Sequence, residues 1–257
     1  MLASVKAIYL ASRKEYDQLF NKYLARPVAA CVVALLAKTP ITPNQVTIAS
    51  TAALVLAALL FVLWPEASGG VCAALIVLFS FVLDCADGML ARHKKIASVQ
   101  GHLFDFFTDG LKALMLVGAI AARLWRSGGY GPALDGSVAI VYWVPSSDAF
   151  FAAGMLGVAV VASAASLTNF VRRPELTGKE TGVAAHYEIA GVKRGPVALV
   201  FTFLRLLNHY PAHLWLFALL GRLDAFFWMY VAINTLYLAK GWLGLLVRFG
   251  GRASTRE

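Results

Sequence analysis

The stretch LDCADGMLARHKKIASVQGHLFDFFTDG, residues 83–110, carries four of the chain's fourteen carboxylates, all of them aspartates, inside what otherwise reads as two apolar helices. At ~100° per residue, Asp84 and Asp87 share one helix face a turn apart. Gly88, Ala91 and Arg92 fall close to that face. On the next helix Gly101, Asp105 and Asp109 recur at intervals of four, a single stripe that Lys112 continues. The short basic segment HKKIASVQ joins the two, so the spacing predicts antiparallel neighbours whose acidic stripes face each other.

The solvent around this pattern makes it unusual. The chain has 257 residues, of which 60% are hydrophobic and only 14% charged, and its mean hydropathy is +0.70. Soluble domains of this size carry about a quarter charged residues. The composition therefore predicts an all-α polytopic membrane protein. Apolar stretches suited to crossing a bilayer, which takes ~20 residues, fall at 44–64, 68–91, 103–125, 147–171, 195–219 and 222–247. That gives six expected spans, with "LLNHYPAHLW" interrupting the fifth and a short "GRLD" turn before the sixth.

Residues 15–38 mix charge with apolar positions at helical spacing and contain Pro27, which kinks or restarts a helix. They read as an amphipathic helix lying on the cytoplasmic surface rather than as a seventh span. The amino terminus has basic residues around only a brief apolar run and does not resemble a cleavable signal. Seventeen Lys and Arg fall on one side of this layout, and only Arg123, Arg126 and Arg222 on the other. The positive-inside rule then puts both termini in the cytoplasm. The net charge of +9 follows from topology and affinity for anionic lipid, and needs no nucleic-acid partner. Cys31, Cys72 and Cys85 are odd in number and lack metal spacing, which argues against a disulfide framework. The loop from Arg126 to Asp148 is expected to be irregular and extracytoplasmic. With no repeat, low-complexity tract or second domain, residues 1–257 read as one membrane-embedded domain.

An ionisable residue inside a bilayer costs several kcal/mol unless it faces a cavity, and so marks function by default. Converging carboxylates repel one another unless cations lie between them. Hard oxygen donors without His or Cys suit Mg2+ or Mn2+. Four carboxylates spread over a turn on each helix suit two ions better than one, and such pairs clamp phosphates during displacement. Gly88, Ala91 and Gly101 leave room for close approach, and Arg92 suits a phosphate oxygen. The bland reading, caps or salt bridges for each aspartate separately, does not account for four at this spacing with glycines on the same faces.

Asp84-x2-Asp87-Gly88-x2-Ala91-Arg92-x8-Gly101-x3-Asp105-x3-Asp109 resembles, without departure in residue or spacing, the signature of the CDP-alcohol phosphotransferase family. "ITPNQVT" at the start of the first span is also similar to family members. The resemblance implies transfer of a substituted phosphate from a CDP-alcohol to a hydroxyl acceptor, with release of CMP, in a metal-dependent cavity open to the cytoplasm. It implies Asp84, Asp87 and Asp105 as metal ligands, and Asp109 as both ligand and general base. Gly88, Ala91, Arg92 and Gly101 would line the nucleotide and diphosphate. Pro43, Asn44 and Thr47 would border that pocket, with ordinary helix-start chemistry as their alternative. The family implies membrane lipids as surroundings, the inner membrane as location and a homodimer as assembly. CDP-diacylglycerol is the donor it most often suggests; CDP-linked choline, ethanolamine or inositol is the alternative.

Lys112, a turn beyond Asp109, and Arg205, ~16 Å into the fifth span, suit a phosphate or carboxylate on the acceptor. Otherwise Lys112 balances the acidic cluster and Arg205 snorkels. A divalent-cation transporter also uses intramembrane carboxylates, but an arginine within two turns of them hinders cation passage. A Mg2+-diphosphate prenyltransferase would need a second aspartate motif, and none is present.

Overall fold

The computed structural model describes residues 2–12, 17–127, 146–171 and 203–250, and every regular element among them is helical. The helices are α1 (Leu2–Ala11), α2 (Arg26–Leu36), α3 (Pro43–Leu63), α4 (Ala67–His93), α5 (Val99–Arg126) and α6 (Ser147–Val171), followed by α7 (203–208), α8 (Leu214–Leu219) and α9 (Leu223–Phe249). Four are long and apolar enough to cross a membrane: Pro43–Leu63, Ala67–His93, Asp148–Val171 and Leu223–Val247. They match the first, second, fourth and sixth expected spans.

The other two expected spans fare differently. The third, 103–125, falls on α5, whose 28 residues extend ~42 Å. Asp105, Asp109, Lys112 and Arg123 make α5 too polar to belong with the four. Of the fifth, 195–219, residues 195–202 lie outside the described residues. The rest is not one continuous helix: α7 gives way to a 3-10 turn at Tyr210–Ala212 around Pro211, and α8 starts afresh at Leu214. Pro211 cannot supply the backbone donor that a continuous helix needs. The expected surface helix 15–38 is also divided. Residues 15 and 16 lie outside the described residues, Asn21–Ala25 is a π-helical turn, and α2 begins with Pro27 in its first turn. α2 buries Ala29, Ala30 and Val33 and packs on α4 and α1. The expected loops 127–146 and 172–194 lie outside the described residues, apart from Ser127 and Ser146.

Helix–helix association in lipid has no hydrophobic drive and relies on close packing. α3 packs against both α4 and α5, which do not pack closely on each other, and α6 fills in between α5 and α9. At the α3–α4 crossing Ser50 donates to the Ser80 carbonyl at 2.9 Å, and Ser80 donates back to that of Ser50 at 2.7 Å. A Cβ on Gly157 of α6 would lie 3.0 Å from Val231 and 3.2 Å from Val117. Small residues and reciprocal hydroxyls thus set the interhelical distances.

Local chemistry fixes the ends nearest the acidic motif. Thr42 and Gln45 form a reciprocal capping box at the start of α3, with Pro43 in its first turn. α4 ends in a Schellman motif: Ile96 N–H donates to Ala91 at 3.0 Å and Lys95 N–H to Arg92 at 3.2 Å. That motif holds Lys95 at φ 57°, a conformation glycine adopts without strain. Lys95→Gly is therefore expected to stabilise the fold by about 0.5–1 kcal/mol, measurable as a raised melting temperature in detergent. Ser98 caps α5 by accepting from the Gly101 amide at 3.0 Å. Lys94 reaches the α2–α3 connection, donating to the carbonyls of Thr39 and Ile41 at 2.7 and 2.8 Å.

Candidate active site

Those capped ends turn the chain back between α4 and α5, but the two helices are not the packed neighbours the spacing predicts: α3 contacts both, and the two acidic stripes line one cavity of about 1780 Å3. Carboxylate oxygens of Asp84, Asp105 and Asp109 lie within 4.8 Å of one another. This is a donor set of hard oxygens alone, and its spread is one that a divalent cation can bridge. Asp109 is the most open of the three toward the cavity, with 52% of its side chain exposed against 16% for Asp84.

Asp87 is held apart from that trio. Its Oδ2 accepts from the Thr47 hydroxyl and its Oδ1 from the Gly88 amide, both at 2.5 Å. The same hydroxyl lies 3.2 Å from the Pro43 carbonyl, the more distant acceptor for its single proton, so the first turn of α3 orients a motif carboxylate forty residues away. Asn44 belongs to the same approach: a Cβ on Gly101 would lie 3.4 Å from its Oδ1 and 3.2 Å from Ser98 Oγ. Helix-start chemistry and proximity to the motif thus coexist at Pro43, Asn44 and Thr47. Gly88 faces the Arg92 guanidinium, which would stand 3.5 Å from an added Cβ. Arg92, Ala91, Gly88 and Gly101 all line the cavity.

Lys112 is 2% exposed and lies on the aspartates themselves. Its Nζ forms an ion pair with Asp84, another with Asp109 at 3.0 Å, and a hydrogen bond with Ser50 Oγ at 3.3 Å. Arg205 is exposed on α7 and is not among the lining residues given above. The cavity has further walls that the motif did not announce. Gln18, Asn21 and Arg26 contribute from the amino-terminal segment, and Asn208, His209 and Asn234 from the carboxy-terminal third. For the carboxy-terminal residues the one sequence signal was a polar residue interrupting an apolar run.

Apolar helices of membrane length around a cavity with clustered carboxylates and a guanidinium define a membrane-embedded enzyme suited to phosphate chemistry. Residues 40–189 match the family model for CDP-alcohol phosphatidyltransferase, and the chain belongs to that family. The family's reaction is phosphotransfer from a CDP-alcohol in lipid synthesis. No curated protein matches the chain. Gln18, Asn21, Asn208, His209 and Asn234 all lie outside the matched span.

Proposed function

We propose that this protein transfers the phosphatidyl group of CDP-diacylglycerol to a hydroxyl acceptor and releases CMP, in phospholipid biosynthesis. The observation that carries this reading is the convergence of Asp84, Asp105 and Asp109 in a cavity that Arg92 also lines, within an apolar helical protein. The divalent-cation transporter is the weaker reading, because Arg92 in the same cavity suits phosphate and opposes cation passage.

The donor set suits Mg2+ or Mn2+, held by Asp84, Asp105 and Asp109, with Asp87 contributing to a second ion. Divalent cations bound there would supply charge neutralisation for the diphosphate and for departing CMP. Arg92, over Gly88, takes a phosphate oxygen, and the small residues Gly88, Ala91 and Gly101 let the nucleotide approach backbone. Asp109, the most open carboxylate, removes the proton of the acceptor hydroxyl. Thr47 fixes the Asp87 carboxylate, and with Pro43 and Asn44 it borders the nucleotide. The paired state of Lys112 supports its balancing role. A contact from Lys112 to an acceptor anion would have to replace one of the three it already makes to Asp84, Asp109 and Ser50, and Arg205 is the outer candidate for that anion.

The whole chain works as one unit with six membrane crossings, both termini cytoplasmic and the cavity open to that side of the inner membrane. The basic residues around the α4–α5 turn and both chain ends support that orientation. In this arrangement 15–38 rests at the lipid surface, and a second copy completes a homodimer. The test is labelled CMP release by purified protein with Mn2+, across CDP-diacylglycerol and CDP-linked choline, ethanolamine and inositol, each with a panel of hydroxyl acceptors. Release from CDP-diacylglycerol is expected; release from a polar CDP-alcohol alone would move the assignment to the other branch. Asp84→Asn and Asp105→Asn are each expected to weaken Mn2+ binding at least tenfold, read by the paramagnetic signal of free Mn2+. Unchanged affinity in both would remove the metal site.

A further inference from the structure

We infer that Lys112 is a built-in competitor for the divalent cation, a tethered charge that braces the empty acidic site and limits how tightly metal binds there. The inference rests on the metal reading proposed above and goes beyond it.

The geometry is direct. The Lys112 ammonium lies on Asp84 and on Asp109 Oδ1, two of the three residues whose oxygens gather within 4.8 Å. A cation held by those three carboxylates would compete with the ammonium for the same side chains. Ser50 Oγ supplies a third contact at 3.3 Å, and Ser50 is itself locked to Ser80 across the α3–α4 crossing. The ammonium is thus anchored from three helices: α3 through Ser50, α4 through Asp84, and α5 through Asp109 and its own backbone. A lysine reaching out to solvent would be exposed, whereas this one is buried to 2%.

Two consequences of opposite sign follow. Without metal, the ammonium offsets repulsion among carboxylates held in a poorly screened interior, so its removal destabilises the protein. With metal, the same positive charge repels the incoming divalent cation and must yield its hold on Asp84 and Asp109. Its removal therefore tightens metal binding. A lysine that only fills space predicts loss of stability and no gain in affinity. A lysine that helps shape the site for metal predicts loss of both.

The test uses the full chain purified in detergent, as wild type, Lys112→Met, Lys112→Gln and Lys112→Arg. Gln is included because its amide still hydrogen-bonds both aspartates if Met impairs folding. In excess chelator, Met and Gln variants are expected to melt below wild type. With Mn2+ as the probe, they are expected to bind at least tenfold more tightly than wild type and to gain more melting temperature from saturating Mn2+. Lys112→Arg, which keeps the charge, is expected to stay near wild-type affinity. Mn2+ affinity that is unchanged or weaker in both neutral variants overturns the inference. If wild type and Asp105→Asn bind Mn2+ equally, the metal reading itself fails and this inference with it. If wild type binds, Asp105→Asn does not and the neutral Lys112 variants bind no tighter, this inference alone fails.

Discussion

Asp109→Asn is expected to slow CMP release by about a thousandfold while leaving CDP-diacylglycerol binding measurable. The three clustered carboxylates are not equivalent. Asp84 is the more enclosed, and its side chain is tied to Lys112 across the helix pair. Asp109 also touches Lys112, yet half of its side chain remains open to the cavity, which leaves an oxygen for an incoming hydroxyl. Asparagine keeps the shape, and its carbonyl still accepts from Lys112, but it cannot take up a proton. Removing one negative charge also favours an anionic donor, so donor binding should survive. Labelled CMP release and equilibrium binding of the donor separate the two effects. A rate within tenfold of wild type would exclude Asp109 as the base. Asp109→Glu, with the carboxylate displaced by one methylene, should fall between the two, because a general base must lie within hydrogen-bond reach of the proton it removes.

The acidic stripes and the apolar runs were legible because both are local properties. Spacings of three and four put side chains on one helix face whatever that helix packs against, and membrane-length hydropathy needs no knowledge of partners. What escaped depends on how helices rotate and cross. Four aspartates looked alike in sequence, yet only Asp84, Asp105 and Asp109 gather, because Thr47, forty residues from Asp87, draws that carboxylate toward α3. The choice of partner for Lys112 rests on Asp84, 28 residues earlier, lying opposite it. The described part of the expected fifth span is interrupted for a different reason. Its apolar content was read across His209–His213, but Pro211 breaks backbone continuity there regardless of hydropathy. The wall formed by Gln18, Asn21 and Arg26 was hidden because amphipathic spacing shows that 15–38 suits a lipid surface and not what its other side covers. Arg26 instead is buried, with its guanidinium paired to Asp17 and donating to the Ser12 carbonyl.

Arg123→Met is expected to destabilise the protein by about 2–4 kcal/mol, through a structure at the end of the helices away from the aspartates. Positive-inside counting used Arg123 only as a topological marker. In the structure it is 2% exposed, and its guanidinium gathers carbonyls from the α3–α4 turn: Trp64 at 2.7 Å, Pro65 at 2.9 Å and Glu66 at 2.7 Å. The last carbonyls of a helix have no intrahelical donor, and in or near lipid few waters replace one. Methionine fills much of the volume but leaves those oxygens without their donors. Lysine keeps the charge yet lacks the planar fork, so Arg123→Lys should recover only part of the loss. Gly70 supplies an internal check. A Cβ there would lie 2.9 Å from Arg123 Nη2, so Gly70→Ala should displace the guanidinium and cost stability in the wild-type background. In the Arg123→Met background that clash is gone, and the same substitution should cost much less. Melting temperatures of the two single variants and the double variant in detergent measure the coupling. Additive losses would mean that the guanidinium does not brace the turn. Because the aspartates lie toward the other end of α4 and α5, the folded fraction of Arg123→Met should retain its turnover per molecule, which separates loss of this brace from damage to the site.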